Sequence, residues 1–485
     1  MVGTVQGVSE SRHPLEPGPA EMRAMGSAAL AFVERFVETL PGAPANGVPG
    51  ALDLADRLRE PAPEHGTPFD ALLPVIAEGA ATSVDYTGPG HMAYIPGGGL
   101  WASAVADFLA AAINRYVTLW SLAPALAQIE STTVRWLCDL FGYPPDARGV
   151  LTSGGSLANL SALVTARHAR LPADFLNGTL YVTDQTHASV AKAAQIAGFP
   201  PASVRTVPTT EDLRMDVEAL SRLVASDRRD GRQPFCVVAS AGTTNTGAVD
   251  PLAHLSAFAR DEGLWLHVDG AYGGPFRLTS RGRALLDGID GADSITLDPH
   301  KAMFLPYGTG ALLVRSGELL RDAHHVGASY LQDIGADEGI PSFSEYSPEL
   351  SRNFRGLRLW LPIKLHGLTA FRDALDEKLD LARFLHDSLR ATPGFELPWE
   401  PQLTVVPFRY RPARDSGDVD AFNARLLERI NASGRVVMSS TTLRGRFIIR
   451  ACILSHRTHR DRVEEAVAVV RSAARDLDGL GGLDG

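Results

Sequence analysis

The chain is poor in cysteine, poorer in lysine, and carries no excess of positive charge. Its three cysteines, Cys138, Cys236 and Cys452, lie far apart without a CxxC pair. Neither a disulfide framework nor a thiolate zinc site is readable from them, and a reducing compartment, the cytoplasm, is expected. Lys and Arg total 46 against 56 Asp and Glu, a net charge of −10. A protein that grips nucleic acid by neutralising phosphates needs a basic balance or stripe, so this composition argues against one. No apolar run reaches the ~18 residues of a membrane span. The N-terminus has no basic stretch followed by an apolar one, so no secretory signal is expected. Lys192, Lys301, Lys364 and Lys378 are the only lysines. Any chemistry that needs an amine must draw on one of them.

What is present reads as a globular chain of 485 residues, 45% hydrophobic, long enough for more than one domain. Residues 1–85 are expected to form a Pro/Gly-rich tail and a helical arm, with helices over Met22–Leu40 and near Phe69–Ala80. Residues 86–370 alternate helical spacing with short apolar runs (TLYVTD, FCVVAS, LWLHVD, DSITLD) that end in polar turns. Runs of that kind are strands buried on both faces of a mostly parallel sheet. Residues 371–485, with LTVVPFRYR and GRFIIRACIL, are expected to form a smaller α/β domain. Ligands of such sheets sit beyond the carboxyl ends of the strands.

The strand ends carry the informative residues. Asp269 closes LWLHVD, where a carboxylate needs either a bound proton donor or a capping role. DSITLD delivers Asp298, Pro299, His300 and Lys301 into a turn; a surface loop is the plain reading of such a lysine. A desolvated amine is nevertheless the nucleophile that Schiff-base chemistry uses. The other lysines lie in segments of amphipathic spacing, where a solvated charge is expected. Thr152-Ser153-Gly154-Gly155-Ser156 is a glycine turn opening a helix, a place that welcomes phosphate without matching a P-loop or GxGxxG. His187 follows TLYVTD, and Gly242 and Thr243 follow FCVVAS. Each signal is weak alone. Together they offer a phosphate cup, a flat ring, a hydroxyl, a carboxylate and an amine, the set that pyridoxal 5′-phosphate (PLP) requires.

With GHMAYIP, WSLAPALAQIE, TSGGSLAN, DQTHASV, AGTTNTGAVDP, WLHVDGAY, DPHK and FRGLRLW in that order, the chain resembles the group II PLP-dependent amino-acid decarboxylases, such as aromatic-L-amino-acid decarboxylase. The resemblance runs from about Gly90 to Gly367. It implies a type I aminotransferase-like fold with a seven-stranded sheet, and a homodimer with the active site at the interface. Lys301 would form the internal aldimine, Asp269 would pair with the pyridine nitrogen, and His187 would stack on the ring and handle protons. Gly155, Ser156, Thr243 and His300 would hold the phosphate, and His91 and Tyr94 would face the substrate. The reaction implied is decarboxylation of an L-amino acid, aromatic or modified, through a quinonoid. No metal, nucleic-acid or membrane partner is implied.

Departures from the family pattern bear on this. Gly270 stands where Ala is common and Ala302 where a bulky residue is common, which would loosen the pocket around ring and lysine; Asp298 stands where Asn is usual. The segment LQDIGADEGIPSFSEYSPELSRN, residues 331–353, corresponds to the family's catalytic loop. Either Phe343 or Tyr346 would fall at the place of its proton-donating tyrosine. Without that hydroxyl the outcome shifts to aldehyde synthesis with oxygen. A β-eliminating lyase and an inactive binding protein are the further alternatives.

Overall fold

The computed structural model describes residues 13, 15–326, 342–413 and 418–480. At its centre is a seven-stranded sheet made of β1 (Arg148–Thr152), β2 (Gly178–Thr183), β3 (Val204–Val207), β4 (Gln233–Ser240), β5 (Trp265–Asp269), β6 (Ser294–Leu297) and β7 (Gly310–Val314), in the order β1-β7-β6-β5-β4-β2-β3. Only β7 runs against the rest, pairing antiparallel with both β1 and β6. Every residue of β2, β5, β6 and β7 is buried, as the uninterrupted apolar runs required.

Alternation along the strands explains this burial. Cys236, Val238 and Trp265 point into one core, shared with Ala158, Ala162 and Val190 from the helices Gly155–Arg170 and Ala188–Ile196. Val237, Ala239, Leu266 and Val268 point into the opposite core, shared with Leu137, Leu220 and Leu255 from the helices Pro124–Leu140, Val217–Arg229 and Leu252–Asp261. Successive side chains of a strand face opposite ways, so a sheet clad on both sides needs apolar residues at every position. Each such side chain contributes roughly 1.5–3 kcal/mol when fully buried.

The helix Gly356–Arg390 leads out of this unit and is interrupted at Gly367, whose φ of 69° is left-handed. The domain boundary drawn at 370 from sequence falls within this element. Beyond it, β8 (Phe395–Glu396), β9 (Val405–Tyr410), β10 (Ser439–Leu443) and β11 (Arg446–Cys452) form a four-stranded antiparallel sheet in the order β10-β11-β9-β8. Its core joins Leu385, Phe408, Leu426, Ile449 and Val467. One expectation fails here: Lys378 is not solvated but fully buried, its Nζ donating to the Glu377 carboxylate at 2.7 Å and to the Thr458 carbonyl at 2.5 Å. The amphipathic stripe of that helix faces the C-terminal lobe, which supplies the carbonyl. Arg355 and Arg358 are likewise buried and structural, bound to Glu349 and to Asp107 and Thr309. The N-terminal helices are Pro19–Thr39, Ala51–Arg57 and Phe69–Ala81. Among the described residues no helix is long and apolar enough to cross a membrane.

Candidate active site

Five of the parallel-running strands, β1, β2, β4, β5 and β6, end on the same edge of the sheet, and the polar turns that follow them enclose one cleft of about 280 Å³. Gly155, Ser156, His187, Thr243, Asp269, His300 and Lys301 all line it.

Each side chain is set by its local structure. Gly155 and Ser156 open the helix Gly155–Arg170, whose first N–H groups face the cleft with the partial positive charge of a helix start. A Cβ at Gly155 would stand 3.0 Å from Asp298 Oδ2, so glycine there lets that carboxylate lie against the helix end. Asp298 Oδ2 is 2.9 Å from Lys301 Nζ and 3.7 Å from His300 Nε2. The expected desolvated amine is therefore an ion-paired one, because the aspartate three residues earlier lies on the same turn. His300 Nδ1 donates to the Thr309 carbonyl at 2.8 Å, and burial pushes its pKa down. His187 caps the helix Ala188–Ile196, its Nδ1 accepting from the Ser189 backbone N–H. Thr243 Oγ1 accepts from the Ala248 N–H and lies 3.1 Å from Thr246 Oγ1.

The turn that carries Lys301 is braced from outside. Phe304 adopts a left-handed φ of 62°, and its carbonyl accepts from the N–H groups of Gly99 and Leu100. Gly98 N–H donates to the His300 carbonyl at 2.9 Å. A Cβ on Gly98 would sit 1.7 Å from the Phe304 carbonyl oxygen, so this approach requires glycine.

Asp269, at the end of β5, is 9% exposed. Its Oδ1 accepts from the Ala271 N–H at 3.1 Å and its Oδ2 from Asn159 Nδ2 at 3.0 Å. The bound proton donor expected from sequence is thus Asn159. An amine, a buried carboxylate, an anion cup and a flat imidazole converge on one cleft, and a buried Asp298 Oδ1 has no partner of its own. This donor set fits PLP.

Comparison with known proteins agrees. Residues 52–411 match the family model described as the pyridoxal-dependent decarboxylase conserved domain. The aromatic-L-amino-acid decarboxylase of Bacillus atrophaeus is 36% identical over 467 residues, covering 96% of this chain and 97% of its own. The phenylacetaldehyde synthase of Arabidopsis thaliana is 28% identical over 479 residues, covering 96% and 98%. The crystal structure of Oryza sativa TDC with PLP and tryptamine superposes with a TM-score of 0.90 at 26% identity, covering 96% of this chain and 100% of that one. The chain belongs to the pyridoxal-dependent decarboxylase family.

This decarboxylase is a carboxy-lyase with PLP as its cofactor and an amino acid as its substrate. When bound, PLP supplies an aldehyde for an amine to capture and a ring that draws electrons from the breaking Cα–carboxylate bond. Asn159, Ser189 and Ser240 also line the cleft, and the motif reading missed them. Asn159 lies four residues beyond Gly155 and so on the same helix face, a spacing visible in the sequence.

Other expectations do not converge on the cleft. Gly270 does not loosen its wall: a Cβ there would face the Thr296 carbonyl oxygen at 3.1 Å and the Gly274 Cα at 3.3 Å, in the packing behind the strand end. Ala302 is wholly buried and lines no part of it. Phe343 is buried with Arg352 stacked 4.7 Å over its ring, and Tyr346 packs against the core beside the helix Gly155–Arg170, so neither lines the cleft. The stretch 331–341 of the loop lies outside the described residues. Tyr94 is 59% exposed with a φ of 53°, and its carbonyl accepts from Arg450.

His91 is buried, and its ring lies 4.2 Å from that of Tyr86. Burial lowers its pKa to about 4, against the pull of the Ala93 backbone. Below the ordinary value of 6.5 the unfolded chain takes up a proton that the folded chain refuses. Stability is therefore lost as pH falls from the ordinary value towards the folded one, by about 1.4 kcal/mol per unit of difference. His91→Phe should shrink the drop in urea midpoint between about pH 7 and about pH 5; an unchanged drop would show that His91 is not the group protonated on unfolding.

Proposed function

We propose that this enzyme decarboxylates an aromatic L-amino acid to its amine, working in the cytoplasm as a homodimer. The observation that carries the chemistry is the meeting of the Lys301 amine and the Asp269 carboxylate in one cleft. Lys301 would hold the cofactor through its aldehyde, Asp269 would pair with its ring nitrogen, and His187 would stack on the ring and handle a proton. Gly155, Ser156, Thr243 and His300 hold the phosphate.

The substrate class is supported by what surrounds the cleft. Among the described residues no arginine lines it, so an acidic side chain would find no dedicated partner there. From His300 a ladder of rings runs through Tyr307 at 5.3 Å, Tyr86 at 5.9 Å from Tyr307, and the buried His91. Such a ladder suits an aromatic side chain. His91, at its end, and Tyr94 are assigned to the substrate. The family kinship with the Bacillus aromatic-L-amino-acid decarboxylase supports the same class.

The second reading, aldehyde synthesis, is favoured by the placement of Phe343 and Tyr346 away from the cleft and by the similarity to the Arabidopsis phenylacetaldehyde synthase.

The dimer rests on apolar surface. Trp101, Phe108, Leu109 and Ile113 are exposed on the helix Trp101–Ile113, and the helix Pro19–Thr39 has no buried residue. Exposed apolar patches of this kind mark association sites.

Three outcomes are expected. Lys301→Ala should abolish the borohydride-trapped cofactor adduct while Asp269→Ala keeps it and loses on the order of 10²-fold or more in kcat; a trapped adduct in Lys301→Ala would remove that lysine from its role. Mass spectrometry of products from an aromatic panel should find amine and carbon dioxide without oxygen uptake, with Tyr346→Phe leaving the product unchanged. Aldehyde from the unaltered enzyme would favour the second reading, and pyruvate an elimination. Phe108→Asp, at a position 69% exposed, should give a monomer by light scattering; a retained dimer would place the interface elsewhere.

A further inference from the structure

Behind the cleft lies a chain of buried polar groups that the proposed roles of Lys301, Asp269 and His187 do not use. Trp265 Nε1 donates to Ser294 Oγ at 2.8 Å, and that oxygen lies 2.8 Å from His267 Nδ1. His267 Nε2 is 3.0 Å from Asn159 Oδ1. Asn159 Nδ2 reaches Asp269 Oδ2 at 3.0 Å and Ser189 Oγ at 2.9 Å, and Ser189 Oγ is 2.8 Å from His187 Nδ1. Asn159, Ser294 and His267 are essentially inaccessible to solvent.

The direction of every proton in this chain follows from its donor-only members. An indole N–H can only donate. Ser294 Oγ therefore accepts from Trp265, and its second lone pair leaves the contact with His267 Nδ1 to be directed from the other end. At the other end, a backbone N–H can also only donate. The Ser189 N–H aimed at His187 Nδ1, 3.3 Å away, leaves that nitrogen bare, so the Ser189 hydroxyl donates to it and Ser189 Oγ accepts from Asn159 Nδ2. That end fixes the amide orientation, Nδ2 towards Asp269 and Ser189 and Oδ1 towards His267, so a neutral His267 ring carries its proton on Nε2, donates it to Asn159 Oδ1, and accepts from Ser294 Oγ at Nδ1. Burial lowers the His267 pKa to about 4, against pulls from Asp269 and Ser294, in keeping with a neutral ring.

We propose that Asn159 is the junction of a directed hydrogen-bond network, running inward from Trp265 through Ser294 and His267, that holds Asp269 as a carboxylate and fixes His187 with its proton on Nε2. Asn159 and His267 are then positioning residues. Among the described residues Asp269 accepts from Asn159 Nδ2 and the Ala271 N–H, the kind of partner a carboxylate takes. A carboxylate so held is the partner that keeps a ring nitrogen protonated. The single ring proton of His187 faces away from Ser189, free to be given. Thr296 Oγ1 also approaches His267 Nε2, at 3.5 Å. Of the remaining titratable groups of the cleft, Asp298 contacts both His300 and Lys301, and the Tyr272 hydroxyl bonds to Thr404.

The inference rests on Asp269 as the partner of the ring nitrogen, and one experiment separates the two. Holoenzyme loaded with ¹⁵N-labelled PLP is titrated by nitrogen NMR, with kcat and KM measured alongside. In His267→Phe and Asn159→Leu the ring nitrogen should lose its proton at lower pH than in the unaltered enzyme. kcat should fall on the order of tenfold to a hundredfold with little change in KM, the range for losing a partner that orients an acting group. His267→Gln, which restores a donor near the Nε2 position, should recover most of both. Should Asn159→Leu not fold, the isosteric Asn159→Asp places a second carboxylate against Asp269 and should move the same titration. Nitrogen titrations identical to the unaltered enzyme in the His267 and Asn159 variants, or a Gln variant as impaired as Phe, would overturn the network's role. If Asp269→Asn also left the nitrogen unmoved, the reading of Asp269 itself would fall.

Discussion

An ionised carboxylate at the end of a wholly buried strand is the constraint around which this molecule is arranged. Asp269 stands where water is nearly excluded, and a carboxylate there is costly unless donors surround it. Asn159 and the Ala271 backbone supply them. A further donor aimed at Asp269 from the cleft, such as the protonated nitrogen of PLP, would complete the set.

The sheet makes this possible by bringing distant parts of the chain to one edge. Ser156, His187, Thr243, Asp269 and Lys301 are separated by tens of residues, yet each follows a strand running in the same direction. Parallel strands force long helical crossovers, which clad both faces in apolar side chains and leave only the strand ends polar. The Lys301 turn is further held by Gly98–Leu100, so the loop ahead of the large sheet helps to shape the site. Asp298 lies against both Lys301 and the helix that begins at Gly155, giving the amine a counter-ion within its own turn.

Much of this was legible in the chain itself. The buried strands were readable because uninterrupted apolar runs have no other stable home, and the helices Pro19–Thr39 and Phe69–Ala81 lie within a few residues of the spacing that announced them. The cleft residues were readable because each closes such a run. Lys378 was not, since its helical stripe says which face is apolar but not that the C-terminal lobe would cover the charge. Gly270 and Ala302 were misjudged for a related reason: adjacency in sequence to Asp269 and Lys301 does not tell towards which side of the turn a Cβ points.

The sequence by itself determined the class of sheet, the strand ends at which chemistry resides, and the residue types that suit PLP, because these depend on periodicity and on the cost of burying charge. Only the tertiary structure decided who partners whom. Asn159 joins Asp269 across 110 positions, Asp298 rather than bare burial attends Lys301, and His91 ends a ladder of rings instead of lining the cleft. Hydrogen bonds and ion pairs of that kind are set by the packing of separate elements, and local spacing carries no record of it.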